Sequence, residues 1–591
     1  MTAWSRTRRH SLSAYGGVFN RVRGLLYILL LVIATAHARA EPPGQRFVSI
    51  AFHDVVDQPT DLGTDAVTTK TLVQFLDWLK GTGWEAISLD DVSAAASGHR
   101  RLPNKAILLT FDDGYESLYT RVFPLLKAYH YPAVASLVGS WMEDGPGGTV
   151  LYGNKTVPRT KFISWAQARE MQASGLIEFA SHSYDLHRDV RANPQGNLIP
   201  AAATWRYDPL TRTYEDDDQY TARIRADLKQ SQTMMEADLG HPPRAIVWAF
   251  GRYTGIALKV AKELGFSFGL TLEPEPAYTS DLYEISRYFP SGNPSLGDIV
   301  RNLRFEPARP HTRRIACLAL DTLAASSGAR QDRMLGHIIE GLRALGANTV
   351  VIDANVALPS PRAPLGDVYF PTQFRPLRKD ILGRATWQIR TRAGADVFLH
   401  LPLAASAAVV GKANVPRLFA DMLRYARPDG VVIDMPVSTS LGTIVADRPE
   451  NIRARRAALN PNRIDGAARL GLAAYRGAAA IDPRLRLMLA LEQPAGPPDW
   501  ADIALLPPRE DVAQIMALAG GLRAEGWLRP DVSGRVAFSL PVEPEQQQIE
   551  ALRQAQRQGA SAFALCPKAP MLPPSAALAA AFSAASYPYR P

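Results

Sequence analysis

The sequence predicts an α/β protein made of two consecutive (β/α) units, the second a complete eight-stranded barrel. Three observations lead there. The chain has 591 residues, 47% hydrophobic and 21% charged, too long for one ordinary domain and apolar enough to bury large cores. Short apolar runs alternate with amphipathic stretches, the pattern of a mostly parallel sheet covered by helices. One Pro- and Arg-rich break, Arg304–Arg314 (RFEPARPHTRR), divides the alternation in two. The organisation read from this is a leader over 1–40, a first unit over 41–305, a linker over 306–314 and a second unit over 315–591.

The leader has the form of an export signal. Residues 1–40 hold Arg6, Arg8, Arg9, Arg21, Arg23 and Arg39 and no acidic residue. An apolar run, Leu25–Ala36, is followed by Ala38-Arg39-Ala40, an A-x-A cleavage signal before Glu41. The run is about 12 residues, short of the roughly 20 that span a bilayer; an uncleaved anchor is the alternative. No cysteine near Glu41 offers a lipid attachment point. The formal net charge is +9, and without the leader's arginines it is about +3. No basic stripe with interleaved aromatics points to nucleic acid.

In the first unit, candidate strands are Phe47–Phe52, Ala106–Phe111, Ala133–Val138, Ile177–Ala180 and Ala245–Ala249, with helical patterns over Thr69–Lys80 and Tyr220–Leu239. Residues 189–219 are polar with Pro, Asn and Gly, and read as a long functional loop. In the second unit the runs are Ile315–Leu320, Thr349–Ile352, Val397–Leu403, Gly430–Ile433, Leu487–Leu491, Ile503–Leu506, Val536–Leu540 and Ala562–Leu565. Eight such runs match a (β/α)8 barrel. The tail from Pro570 is weakly structured. Cys317 and Cys566 sit beside apolar runs, where a cysteine is usually a small buried hydrophobe; export permits a bridge between them, but their spacing does not establish one.

The chemistry concentrates where candidate strands end. Ala106–Thr110 runs into Phe111-Asp112-Asp113-Gly114-Tyr115. Two adjacent carboxylates repel, and a cation relieves that repulsion. Gly114 permits the tight turn that brings both to one place. The same letters also make a plain Asp-Asp-Gly turn. After Ile177–Ala180 come Ser181-His182-Ser183-Tyr184-Asp185-Leu186-His187. Two imidazoles five residues apart do not share a helical face, but on a loop they can converge on one ion with a carboxylate. His53, after the first strand, is either a proton shuttle or a packed core histidine.

Taken together, these residues resemble the polysaccharide deacetylase family of carbohydrate esterases. TFDDGY at 110–115 matches the first family motif and SHSYDLH at 181–187 the second. VWAFGRY at 247–253 resembles the third, groove-lining motif, with Ala249 and Phe250 in place of the usual Pro-Tyr. Leu282, Ile285 and Arg287 stand where the fourth is expected. The family's catalytic histidine usually follows these motifs. Here His53 precedes them, as in the circularly permuted subgroup that acts on poly-β-1,6-N-acetylglucosamine. The resemblance implies a circularly permuted (β/α) deacetylase barrel, with Asp112 as catalytic base and His53 as acid. It implies a divalent metal ion on Asp113, His182 and His187, a donor set suited to Zn, Co, Ni or Fe. It implies substrate contacts at Tyr115, Trp248, Phe250 and Arg287, with a periplasmic location. Poly-N-acetylglucosamine is the implied partner, an outer-membrane export porin a candidate one, and nucleic acid none.

In the second unit, Tyr369-Phe370-Pro371, Arg378-Lys379-Asp380 and Trp387–Gly394 resemble the carbohydrate-binding barrel of the same family. Acids at strand ends include Asp321, Asp353, Asp434 and Glu492; sugar contacts are expected at Asp321, Tyr369 and Asp434. The family's acidic pair after the fourth strand falls on Met435 and Pro436. Glycoside hydrolysis wants two carboxylates flanking the bond, so the expectation is polymer binding with hydrolase activity weak or lost. Two rival readings stand beside this one. One is a deacetylase of peptidoglycan or chitin type, and the other a non-enzymatic polysaccharide-binding export factor.

Overall fold

In the computed structural model the described residues are 44–584, without 62, 144, 146, 154, 306–311, 361–362, 436–448, 464–465, 494–497, 510, 542–543 and 567–573. The leader, most of the linker, Pro436 and part of the tail from Pro570 therefore lie outside the described residues. Among the described helices, none is long and apolar enough to cross a membrane.

The first unit is an eight-stranded sheet. Its parallel strands are β1 (Arg46–Phe52), β2 (Ala106–Phe111), β3 (Ala133–Leu137), β4 (Ile177–Ser181), β5 (Ala245–Val247) and β6 (Phe268–Leu270). They lie side by side in chain order, the progression of a (β/α) barrel, and single bridges from Ile285 to Leu270 and from Tyr288 to Ile50 link the two edges. Ala277–Tyr278 borders β1 antiparallel, and Glu85–Ala86 pairs with β2 off the main path. All six residues of β2 are buried, as befits a strand covered on both faces. Because the strands are parallel, their carboxyl ends share one edge. His53, Asp112, His182 and Trp248 each directly follow a strand on that edge.

The helices have local causes. In α1 (Thr69–Thr82) the Thr68 side chain caps the first turn and Gly83, at φ 73°, ends the last. In α2 (Asp217–Leu239) an Asp216/Gln219 capping box starts the helix three residues before its apolar periodicity begins. The stretch 189–219 is not one loop. It folds as two small antiparallel hairpins, Asp189–Arg191 with Leu198–Pro200 and Tyr207–Asp208 with Thr213–Tyr214. A third hairpin, Thr149–Tyr152 with Lys155–Pro158, is largely exposed and so carries no apolar alternation to read.

The second unit is a closed barrel of β7 (Arg313–Leu318), β8 (Thr349–Asp353), β9 (Asp396–His400), β10 (Gly430–Met435), β11 (Arg486–Leu491), β12 (Ile503–Leu505), β13 (Val536–Ser539) and β14 (Ala562–Leu565). Closure corrects the reading of the cysteines. It sets β7 against β14, Ala316 opposite Leu565, and Cys317 and Cys566 form a disulfide across 249 residues of sequence. That separation is what hid the pair.

The units are packed together. One apolar cluster contains Trp205, Tyr220 and Val260 from the first and Leu382, Leu418 and Tyr475 from the second. At α3 (Gly255–Glu263) the Gly255 N–H donates to the Ile481 carbonyl at 3.1 Å. A Cβ at Gly255 would meet the Ala480 carbonyl oxygen at 2.2 Å, so only glycine fits there. Arg427 donates to the Tyr253 carbonyl (3.1 Å), Arg453 pairs with Glu275 (2.7 Å) and Tyr214 donates to Asp380 (2.6 Å).

Candidate active site

Asp113, His182 and His187 converge, with one donor atom from each within 4.8 Å of the others. Asp113 leaves β2 at φ 73°, a backbone region uncommon for a non-glycine residue, and this turn aims its carboxylate across the sheet edge. The Asp113 Oδ1 lies 3.3 Å from Nε2 of both histidines. It is buried and accepts no hydrogen bond.

The tautomer of His182 follows from its partner. Its Nδ1 lies 2.7 Å from the Val247 carbonyl oxygen. A carbonyl only accepts, so Nδ1 carries a proton and Nε2 faces Asp113. Burial lowers His187 to about 4, outweighing the pull of Asp113, so its imidazole is neutral at physiological pH. A buried carboxylate oxygen with no hydrogen bond, facing Nε2 of two imidazoles, is costly without a cation. The residues therefore fit a divalent ion, and their N2O donor set suits Zn, Co, Ni or Fe.

Asp112 has a different environment. Burial opposes its ionisation, but the Arg287 guanidinium overcomes it and holds the carboxyl down at about 2. Arg287 grips it at both oxygens, Nη1 to Oδ1 and Nη2 to Oδ2, each at 2.8 Å, and Ser136 donates to Oδ1 at 3.0 Å. The same guanidinium donates to the Thr271 carbonyl and to the Thr110 hydroxyl. His53 reaches this region from β1, half-buried, its ring 4.6 Å from Phe289 and its Nδ1 buried with no partner.

The structure redistributes the expected substrate contacts. Phe250 keeps its place, 40% exposed, with its ring 4.6 Å from that of His187. Tyr115 does not. Its ring is packed with Val138, Trp141, Val150 and Phe162 and has no open face. Trp248 is buried and stacks on Tyr253 at 5.1 Å. Arg287 is wholly buried and spent on Asp112. A motif registers that these residues neighbour the site but not which way they face.

Several neighbours escaped the sequence reading. Tyr152, from the exposed hairpin, donates to Asp113 Oδ2 at 3.2 Å, and Trp141 packs its ring 4.9 Å from His187. Tyr152 arrives from a hairpin without apolar alternation, and Trp141 from the short turn Gly139–Met142 after β3, whose sequence matches no motif.

The mouth of the barrel is arranged otherwise. His400, at the end of β9, lies between two carboxylates, Nδ1 2.8 Å from Asp353 Oδ1 and Nε2 3.0 Å from Asp434 Oδ1. Burial disfavours its charged form, but the two acids outweigh this and push it up to about 10. The remaining Asp434 oxygen accepts the Leu403 N–H at 3.0 Å. Asp434 thus has an internal partner at each oxygen, with its side chain 37% exposed. Asp321 accepts the Ala357 N–H at 3.1 Å, and Tyr369, expected to touch sugar, is fully buried.

The parallel sheet and its strand-end cluster define an α/β protein with a candidate metal centre beside an ionised carboxylate. Residues 99–269 match the model of the family described as polysaccharide deacetylase, and residues 318–423 that of hypothetical glycosyl hydrolase family 13. A poly-beta-1,6-N-acetyl-D-glucosamine N-deacetylase of Escherichia coli K12 is 34% identical over 361 residues, which cover 61% of this chain and 53% of that protein. The chain thus spans about half the length of the curated relatives it matches first. Among solved structures, the BpsB deacetylase domain from Bordetella bronchiseptica is 40% identical, covering 42% of this chain and 97% of that one with a TM-score of 0.38. A de-N-acetylase from Aggregatibacter actinomycetemcomitans is 32% identical, covering 44% and 100%, with a TM-score of 0.42. The chain carries a polysaccharide deacetylase domain followed by a glycosyl-hydrolase-like one. The family match begins after His53, which reaches the same strand-end edge from β1.

Proposed function

We propose that the protein removes acetyl groups from poly-β-1,6-N-acetylglucosamine, releasing acetate, with Asp112 as base and His53 as acid. The observation that carries this is the buried Asp113–His182–His187 cluster next to an ionised Asp112. A divalent ion held by the three residues would supply Lewis-acid polarisation of the amide and activation of water when bound. Asp112, ionised and held rigid by Arg287 and Ser136, takes the water proton. His53 delivers a proton to the departing amine from the end of β1. Trp141 and Phe250 wall His187 and limit solvent access. The linkage and the amide class rest on the names of the relatives.

The barrel is proposed to bind polymer, with hydrolase activity weak or lost. What supports it is the fall of the family's acidic pair on Met435 and Pro436 and the pairing of Asp353 and Asp434 with His400 through one oxygen each. Export to the periplasm is the proposed location. The leader's composition and the Cys317–Cys566 bridge support it, since such bridges persist in oxidising compartments. The deciding experiment measures acetate release from β-1,6- and β-1,4-linked N-acetylglucosamine oligomers, before and after chelation and with Zn, Co or Ni restored. Metal-dependent release from the β-1,6 series is expected. Release that survives chelation would sink the metal assignment, and a β-1,4 preference the polymer assignment.

A further inference from the structure

We propose that Tyr152 is a positioning residue of the metal centre, its hydroxyl holding one oxygen of Asp113 so that only the other is offered to a divalent ion. This rests on the deacetylase reading above and deepens it. The two oxygens of Asp113 have different surroundings. Oδ1 lies 3.3 Å from Nε2 of both His182 and His187 and is buried with no hydrogen bond. Oδ2 accepts the Tyr152 hydroxyl at 3.2 Å. A phenol is a donor at neutral pH. The same hydroxyl is 3.5 Å from Asp65 Oδ2, and having one proton to give it serves the nearer carboxylate. An oxygen that already accepts a hydrogen bond is a poorer ligand than a bare one. Asp113 is therefore set to bind through Oδ1 alone, and chelation through both oxygens would cost the Tyr152 bond. One carboxylate oxygen and two imidazole nitrogens make three protein ligands, the number with which hydrolytic centres keep a position open for water or substrate.

Packing fixes the hydroxyl in place although the hairpin that carries it is largely exposed. Val150 and Tyr152, two apart on one strand, share its inner face, while Leu151 between them is 61% exposed. The Tyr152 ring stands 5.2 Å from Trp141, 6.1 Å from Tyr115 and 6.2 Å from His187. Trp141 is also 4.9 Å from His187, so one indole braces both a metal-ligand candidate and the outer partner of another. The base of the hairpin is closed by Arg159, whose N–H donates to the Gly148 carbonyl at 3.0 Å. The Arg159 guanidinium, buried, donates to the Phe162 and Ile163 carbonyls at 3.0 and 2.9 Å. A donor held this firmly restrains the carboxylate it touches, and outer partners of this kind fix a ligand in the orientation an ion needs.

The test compares the full chain with its Y152F variant, which keeps the ring and removes only the hydroxyl. Dissociation constants for Zn and Co are read by competition with a chelating dye. The Co-loaded proteins are then compared by visible absorption, whose intensity falls as the coordination number rises. Y152F is expected to bind either ion about 10–100-fold more weakly. Its Co bands should be weaker, as Asp113 adds its second oxygen. At saturating metal, kcat on β-1,6-N-acetylglucosamine oligomers should fall while KM stays, because Tyr152 acts through Asp113 and not on the sugar. If Y152F also melts lower, the Co spectrum decides, since a loosened hairpin alone does not add a ligand. Metal affinity and Co spectrum unchanged in Y152F overturn the proposal. A rise in KM with metal affinity intact overturns it too, for it would make Tyr152 a substrate contact. Wild type that binds the ion and releases no acetate overturns the deacetylase reading itself, and the two metal measurements then judge Tyr152 on their own.

Discussion

Two strand-end clusters, built on the same plan, have opposite electrostatics. Both stand at the carboxyl edge of parallel strands, where side chains from different strands meet. In the first unit Asp113 Oδ1 is buried with no donor, facing two imidazole nitrogens at 3.3 Å. In the barrel the two acids around His400 share its one imidazolium. The first arrangement has no cation of its own, while in the second a side chain supplies the positive charge. Position on a barrel thus marks where chemistry can occur. The balance of donors and acceptors decides whether it does.

The largest expected effect tests the incomplete cluster. Asp113→Ala or His182→Ala should abolish metal retention, read by elemental analysis of the purified protein, and bring acetate release to background. Asp112→Asn and His53→Ala should each lower kcat by about 10²–10⁴-fold with metal content intact. Retention of wild-type turnover by Asp112→Asn would remove the distinction between its role and that of Asp113.

The next tests concern stability. Arg287→Met leaves Asp112 buried without its cation, and breaking such a pair costs about 3–5 kcal/mol, measurable by denaturant unfolding. In the barrel, reducing Cys317–Cys566 should cost about 2–5 kcal/mol, seen as a lower melting temperature with dithiothreitol. His400 adds a pH dependence of known sign. Its folded pKa, about 10, lies above the ordinary 6.5. Its contribution to stability is therefore complete below about 6.5 and is lost as pH rises toward 10. His400→Gln should flatten barrel stability over that window, and an unchanged slope would show that the two carboxylates do not hold it.

The smallest expected effect is none. Asp434→Asn in the full chain should leave the length distribution of partly deacetylated polymer unchanged, because the wild-type barrel is not expected to cut it. Shortening by wild type that Asp434→Asn prevents would make the two clusters alike after all.

What the sequence by itself determined is the pattern carried by neighbouring residues. Apolar runs such as AILLTF and AFAL located the parallel strands because a strand buried on both faces has no polar positions. Asp112, Asp113, His182 and His187 were legible because parallel strands put their chemistry just after their last residue, where a motif is contiguous. Tertiary structure decided everything that depends on orientation or on distant partners. Arg287 lies 175 residues from Asp112, and only the fold makes it a clamp on that carboxylate. Tyr115 and Trp248 turn inward, and Tyr152 arrives from a hairpin without apolar alternation. The disulfide waited on barrel closure, and the fate of Asp434 on a histidine one strand away. Periodicity reports which residues are buried, but pairing between charges is a property of three-dimensional neighbours, which one-dimensional spacing does not encode.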